Sequence, residues 1–393
     1  MQYRSLQSMP TKQSLLGFGC MRFPLIEGTQ EIDEKQAEAM IDYAYQNGVN
    51  YFDTAYIYHE GKSENFIGRV LKKYPRTSFY LADKMPGWVG IKSVEDAKRI
   101  FEEQLSRCGV EYFDFYLLHA LNKEKDYEKV YLGAGVKEYL FEEKRQGRIK
   151  YLGFSFHGDE KLLKRVLEDD DCWDFAQLQI NYLDWNMQNA KTFYKLLEDH
   201  QVSCIVMEPV RGGSLVRLPE ESVQLMKEEK PDQSIASWAF NYVCSLPNVV
   251  TVLSGMSNME QVEDNIKTFH NFKPMTVREY EVIQQVVENY LKKGIIPCTA
   301  CRYCMDCAFG VDIPAIFAIY NKAAQNNDLP MMVSGSRGNR GDAFLAEYQA
   351  LTAKHQAHQC TACRKCEKLC PQNIKIADRM FEIKQLVSAA QVG

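Results

Sequence analysis

The sequence contains no run approaching the roughly 18 to 20 consecutive apolar residues that a membrane span requires. Its first residues, MQYRSLQSMP, lack the apolar core of an export signal. Neither a membrane partner nor export is expected, and the reading is a cytoplasmic protein. Positive charge is scarce as well: 47 Lys and Arg stand against 52 Asp and Glu, a formal net charge of -5. No broad phosphate-binding surface is indicated, so nucleic acid is not expected as a partner. A third absence concerns nucleotides: no GxGxxG follows the first apolar strand, which removes the usual mark of an open, doubly wound dinucleotide fold.

What is present is an alternation. Between residue 15 and about residue 270, short runs rich in β-branched and aromatic residues alternate with amphipathic stretches at helical spacing. The spacing predicts strands at Leu15–Gly19, Asn50–Asp53, Phe79–Lys84, Phe113–His119, Tyr151–Ser155, Phe175–Ile180, Cys204–Met207 and Val249–Leu253. Helices are predicted between them, among them Asp33–Gln46, Ser93–Arg107 and Gln188–His200, several opened by an Asp or Ser cap. Eight such units match the size of a closed (β/α)8 barrel of the α/β class better than an open sheet. No internal repeat is expected beyond this alternation. A second, smaller unit is expected after the barrel, so the domains read as 1–290 and 291–393, with a Gly- and Ser-rich loop at Leu329–Asp342 inside the second.

A barrel carries its chemistry at the C-terminal ends of its strands. There the sequence places Asp53 and, five residues on, Tyr58; then Lys84; then His119. One such residue is ordinarily a cap or a solvated charge, but four converging on one mouth suit proton chemistry. Lys84, held by Asp53, is expected to lower the pKa of Tyr58 towards neutrality. Tyr58 would then protonate a carbonyl oxygen, with His119 hydrogen-bonding the same atom. Trp88 and Trp185 are candidates either for an apolar pocket near this mouth or for packing.

With GFGCMR at 17–22, DTAYIY at 53–58, Lys84, LLHA at 117–120, GFSFHG at 153–158 and SGMSNMEQVEDN at 254–265, residues 1–270 resemble the aldo-keto reductase family. The resemblance implies NADP or NAD as cofactor, a small carbonyl compound as substrate, and the tetrad roles just given. It further implies cofactor contacts from Gly19, Cys20, Met21, Asp53, Ser155, Gln177, Met207, Glu208, Pro209 and Val210. Gly255, Met256, Ser257, Asn258, Gln261 and Asn265 complete the implied set. Phe156 stands where the family has Asn, and Met207 where an aromatic residue is usual. Gly255 and Gln261 replace the cations that grip a 2'-phosphate, which makes use of NAD plausible.

Thirteen cysteines are divided unevenly. Cys20, Cys108, Cys172, Cys204 and Cys244 occur singly and are expected as small core residues. The other eight form Cys298-x2-Cys301-x2-Cys304-x2-Cys307 and Cys360-x2-Cys363-x2-Cys366-x3-Cys370. Successive x2 spacings wrap a chain around one four-iron cluster and leave a remote fourth ligand to close it. Two zinc sites are the competing reading, although those are normally built from separated CxxC pairs. The pattern resembles bacterial two-cluster ferredoxins, which implies two 4Fe-4S clusters. By that resemblance Cys298, Cys301, Cys304 and Cys370 hold one, and Cys360, Cys363, Cys366 and Cys307 the other. The segment is expected to be a mainly helical variant, with a helix at Pro314–Ala324, and a ferredoxin-type protein is a possible redox partner.

Two functions follow. The first is an NAD(P)H-dependent oxidoreductase that reduces an aldehyde or ketone, its clusters serving electron transfer or structure. The alternative is an electron-transfer or redox-sensing module whose barrel binds nucleotide without carbonyl turnover.

Overall fold

The computed structural model describes residues 1–7, 10–169, 173–305, 307–330 and 341–391. The chain forms two compact units, Met1–Pro209 with Ala236–Met275, and Val210–Ile235 with Thr276–Gly393.

In the first unit eight parallel strands close into a barrel. They are β1 (Leu16–Gly19), β2 (Tyr51–Asp53), β3 (Tyr80–Pro86), β4 (Phe113–Leu121), β5 (Ile149–Phe156), β6 (Phe175–Gln179), β7 (Ser203–Met207) and β8 (Val249–Ser254). Each strand neighbours the next in sequence, and β8 closes on β1 with Val252 opposite Leu16. The expected (β/α)8 architecture is therefore present. Large side chains fill the interior: Phe115 lies 4.9 Å, 5.0 Å and 5.1 Å, centroid to centroid, from Tyr51, Tyr151 and Phe175. A short hairpin pairing Tyr3–Arg4 with Gln13–Ser14 precedes the barrel, and Leu6 between its strands joins that interior cluster.

The helices begin where side chains satisfy their first free N–H groups. Asp33 caps Glu34–Gln46, Ser93 caps Val94–Cys108 through a reciprocal box with Asp96, and Asn258 caps Met259–His270. Two expectations are corrected in detail. The helix predicted over 188–200 starts two residues later and runs over Ala190–Asp199, because Asn189 just before it adopts a left-handed φ of 54°. Strand β3 runs past Lys84, since Met85 and Pro86 pair with Leu118 and His119 of β4.

The second unit has its own apolar core, in which Ile296, Ile316, Phe317, Phe344, Tyr348, Met380 and Ile383 meet. Three of its helices are Ile313–Gln325, Asp342–Ala350 and Ile376–Gln391. The first of these confirms the helix expected near Pro314. Residues 331–340 of the expected Gly- and Ser-rich loop lie outside the described residues, as does Cys172.

The expectation of no further repeat is also corrected. Cys298-Thr-Ala-Cys301-Arg recurs as Cys360-Thr-Ala-Cys363-Arg. The backbone repeats with it: Ala300, Arg302, Ala362 and Arg364 all have φ between 53° and 64°. Gly310 and Asn373, each three residues after the last cysteine of its run, are left-handed too (77° and 52°), and a helix starts three residues later in both copies. The unit thus contains two copies of one cysteine-loop–turn–helix element.

Candidate active site

The barrel register brings the predicted tetrad together at one end. Asp53, the last residue of β2, pairs with Ala82 of β3, two residues before Lys84, and Pro86 pairs with His119. Lys84 Nζ donates to Asp53 Oδ1 (2.7 Å) and to the Thr54 carbonyl (2.6 Å), and lies 3.4 Å from the Tyr58 hydroxyl. Tyr58 is carried by the turn after β2, its N–H bonded to the Ala55 carbonyl, and its ring stands edge-on to His119 at 6.3 Å. All four side chains are buried.

Burial dominates their protonation. It pushes the Tyr58 phenol well above its usual value, with the negative charge of Asp53 adding to the effect. The expected lowering by Lys84 is therefore not what this environment produces: desolvation of a phenolate outweighs one nearby ammonium. Burial likewise raises Asp53 against the pull of Lys84, and holds His119 well below the usual imidazole range, helped by Lys84. The set is thus a protonated phenol, a neutral imidazole and a buried ion pair.

Two contributors, Tyr131 and Gln104, were not visible in the sequence, whereas Trp88 and Trp185 were candidates. The Tyr131 hydroxyl donates to the carbonyls of Met85 and His119, tying the ends of β3 and β4 together. Gln104 Nε2 donates to the Lys84 carbonyl and to Glu64. Trp88 stacks obliquely on His119 at 4.7 Å while remaining 48% exposed, so it stands at the mouth. Trp185 instead packs on Tyr194 and Tyr242, away from the tetrad.

The expected cofactor contacts fall into two groups. Ser155 and Gln177 face each other across β5 and β6. Ser155 Oγ accepts the Ala120 N–H (2.7 Å), whereas Gln177 Oε1 is buried without a hydrogen-bond partner. His119 Nδ1 is buried in the same condition. Orphaned polar atoms at a strand end suit a bound amide that would satisfy them. Phe156, in place of Asn, packs edge-on against Phe193 and offers no polar atom.

The second group follows β8. Asn258 caps the helix from Met259, Ser257 N–H donates to Gln261 Oε1, and Asn265 Nδ2 donates to Ser254 Oγ. This helix start presents backbone N–H groups of the kind that bind phosphate. A Cβ on Gly255 would come within 3.1 Å of the Arg22 side chain, whose guanidinium pairs with Glu208 at 3.5 Å. Arg22 thus brings a cation, paired with Glu208, to the loop in which Gly255 and Gln261 stand in place of two. Cys20, Gly19 and Met256 are buried beside it, Met21 and Met207 are half-buried, and Pro209 ends the first unit while Val210 begins the second.

In the second unit the cysteines of the two runs influence one another's thiols. Burial raises the Cys298 thiol to about 11, with Cys301 and Cys370 among the neighbouring charges, and Cys304 to about 12, with Cys301, Cys298 and Cys370. Cys366 is raised to about 11, with Cys360 and Cys307 beside it. Cys370 therefore sits with the first run and Cys307 with the second. The Ala300 N–H points to Cys298 Sγ at 3.4 Å, the type of contact that supports a bound thiolate. Among the described residues no group of three or more His, Cys, Asp or Glu side chains is disposed to hold a metal ion. The donor set is all thiol, in two sequence runs of four whose spacing suits four-iron clusters. Cys20, Cys108, Cys204 and Cys244 are buried, as expected of core residues. No helix among the described residues is long and apolar enough to cross a membrane.

Comparison with known proteins matches two families along the chain. The model of the aldo/keto reductase family matches residues 15–288, and that of the 4Fe-4S dicluster domain matches residues 297–374. An uncharacterized oxidoreductase, YqkF, of Bacillus subtilis is 26% identical over 323 residues, covering 75% of this chain and 99% of its own. The holo form of aldo-keto reductase AKR11C1 from Bacillus halodurans superposes with a TM-score of 0.60 at 27% identity, over 73% of this chain and 96% of its own. An aldo-keto reductase from Klebsiella pneumoniae, solved with NADP and acetate, shares the fold at 17% identity, with a TM-score of 0.60 over 73% of this chain and 95% of its own.

Proposed function

The chain is an oxidoreductase that belongs to the aldo/keto reductase family, and from that premise we propose that it reduces an aldehyde or ketone to an alcohol with NADPH or NADH. The observation that carries the reading is the Asp53–Lys84–Tyr58 chain, buried at the barrel mouth beside a neutral His119. The nicotinamide, when bound, supplies the hydride. Tyr58, kept protonated by its surroundings, is the proton donor to the carbonyl oxygen. Lys84 stabilises the phenolate left behind and Asp53 fixes Lys84. His119, as a neutral imidazole, orients the carbonyl by hydrogen bonding. Trp88 shields one side of the mouth and supplies an apolar surface for the substrate.

Gln177 and Ser155 would hold the carboxamide, and the loop and helix start from Gly255 to Asn265 the phosphates, with Arg22 contributing charge. NADP is bound by the Klebsiella pneumoniae protein of the same fold, and Arg22 favours it here over NAD. Functionally, residues 1–290 are taken as the reductase and 291–393 as the iron-sulfur domain. Its clusters, ligated crosswise by the two cysteine sets, would exchange electrons one at a time with a redox partner.

The test is NAD(P)H oxidation against a panel of aldehydes and ketones under anaerobic conditions, for the wild-type protein and Tyr58→Phe. Turnover that requires Tyr58 supports the proposal. Nucleotide binding without turnover on any carbonyl favours the module reading instead.

A further inference from the structure

The two cysteine loops repeat in backbone but not in setting. In the first copy Thr299 is buried and Cys298, Cys301, Cys304 and Cys307 are half-buried. In the second, every residue from Thr361 to Lys365 is exposed, Cys363 included. The charge differs in the same sense. Residues 352–384 hold seven Lys and Arg against three Asp and Glu, a formal +4 in a chain of net -5, so the remaining residues carry -9. The three acids are engaged locally: Glu367 and Asp378 by Arg364, and Glu382 by Arg379. The excess therefore falls on lysines, of which Lys354, Lys365 and Lys375 are exposed.

Apolar surface lies in the same place. Leu369, one residue before Cys370, is 55% exposed. Phe381 is 59% exposed on the helix stripe that runs from Ala377, whose N–H donates to Glu367, to Lys384, whose ammonium donates to the Cys360 carbonyl. That stripe faces the second cysteine loop, yet its largest side chain is uncovered.

We propose that this face, the exposed loop of Cys363 and Lys365 together with Leu369, Lys375 and Phe381 of the segment bound to it through Arg364–Asp378, is the docking surface for a small acidic one-electron carrier protein of the ferredoxin type. The inference rests on the reading of the eight cysteines as cluster ligands. An exposed ligand loop brings the cluster held by Cys360, Cys363, Cys366 and Cys307 within reach of a second protein, whereas in the first loop Thr299 is buried and Cys301 half-buried. Lysines ringing a small apolar centre steer an acidic partner electrostatically and then let it seat. In the exchange the carrier loses one electron and this cluster gains it, with no proton or atom transferred. The alternative occupants of a basic face, anionic lipid or nucleic acid, would leave the exposure of the ligand Cys363 without a role.

The experiment uses the full chain with its clusters and a purified acidic bacterial two-cluster ferredoxin as probe. Iron, sulfide and dithionite EPR are measured first, so that absent clusters are recognised separately. Binding is then measured by calorimetry at about 50 and 300 mM salt. The expected result is binding at low salt that weakens at least tenfold at high salt. In Lys365→Glu/Lys375→Glu it is expected to weaken at least tenfold at low salt, with cluster content and carbonyl reduction unchanged. Phe381→Ser, an exposed change, is expected to weaken binding without altering its salt dependence. No binding to the ferredoxin by cluster-loaded protein, equal binding by the charge-reversed protein, or tighter binding to anionic vesicles or single-stranded DNA would overturn the proposal.

Discussion

Lys84 Nζ stands 3.4 Å from the hydroxyl of Tyr58, and the same ammonium lies 4.8 Å from the centre of the Tyr58 ring. The cation therefore touches both the atom that would lose a proton and the π-face behind it, in a place closed to water. A phenol so placed is a poor acid at rest and a stabilised phenolate in the moment of transfer.

The first prediction concerns pH. Tyr58 is pushed above its usual value and His119 below its own, so neither changes charge near neutrality. The active form has Tyr58 protonated and His119 neutral, and it is lost only when pH rises through the phenol pKa or falls through the imidazole pKa. The rate of reduction, kcat/KM, is expected to stay level from about pH 6.5 to 9. A limb near pH 7 that disappears in Tyr58→Phe or His119→Gln would show that one of these groups titrates there.

The same burial of His119 bears on stability. Its folded-state pKa is depressed while an unfolded histidine takes up a proton near pH 6.5, so the unfolded state binds more protons below that pH. Stability is expected to fall as pH drops below about 6.5, and His119→Gln should reduce that slope in urea titrations at pH 7 and pH 5.

Removing the cation of the buried pair is costly. In Lys84→Met, Asp53 is left buried with its counter-charge gone, and a loss of about 3 kcal/mol is expected along with the activity. Adding Asp53→Asn should restore part of that stability but none of the turnover. Denaturant midpoints of the three variants decide this.

Crosswise ligation makes a distinctive prediction. Cys370→Ser should diminish the same cluster signal as Cys301→Ser, and Cys307→Ser the same one as Cys363→Ser, although each pair is far apart in sequence. If Cys370→Ser instead matched Cys363→Ser in EPR of the reduced protein, the sets would be contiguous and the ligation assigned here incorrect.

Arg22 is expected to strengthen cofactor binding. Arg22→Ala should weaken NADPH binding about tenfold, close to 1.4 kcal/mol, and NADH binding less. Fluorescence titration of the reduced nucleotides reads this directly. Equal affinities for wild type and variant would remove Arg22 from the site.

The sequence made the barrel legible because each strand is a short β-branched or aromatic run followed by one polar residue. Asp53 and His119 stand out for that reason, and Lys84 with them, although β3 continues two residues beyond it. The cysteine spacing was equally plain. Tyr131 and Gln104 were not, because a helix or loop side chain acquires its role only when tertiary packing brings it to a strand end. Arg22 escaped for a related reason: it lies far in sequence from Gly255, whose missing side chain leaves it room. The direction of the Tyr58 shift was misjudged because proximity of a lysine can be foreseen from motifs, whereas the extent of burial cannot. The CTACR repeat was present in the letters, but only the matching left-handed residues reveal it as a structural repeat.

The central claim is carbonyl reduction with Tyr58 as the acid, and its most direct measurement is single-turnover oxidation of bound NADPH by a reactive aldehyde in wild type and Tyr58→Phe. The account predicts a loss of at least a hundredfold in the variant, with nucleotide affinity and cluster content unchanged. An unchanged rate in Tyr58→Phe would contradict it.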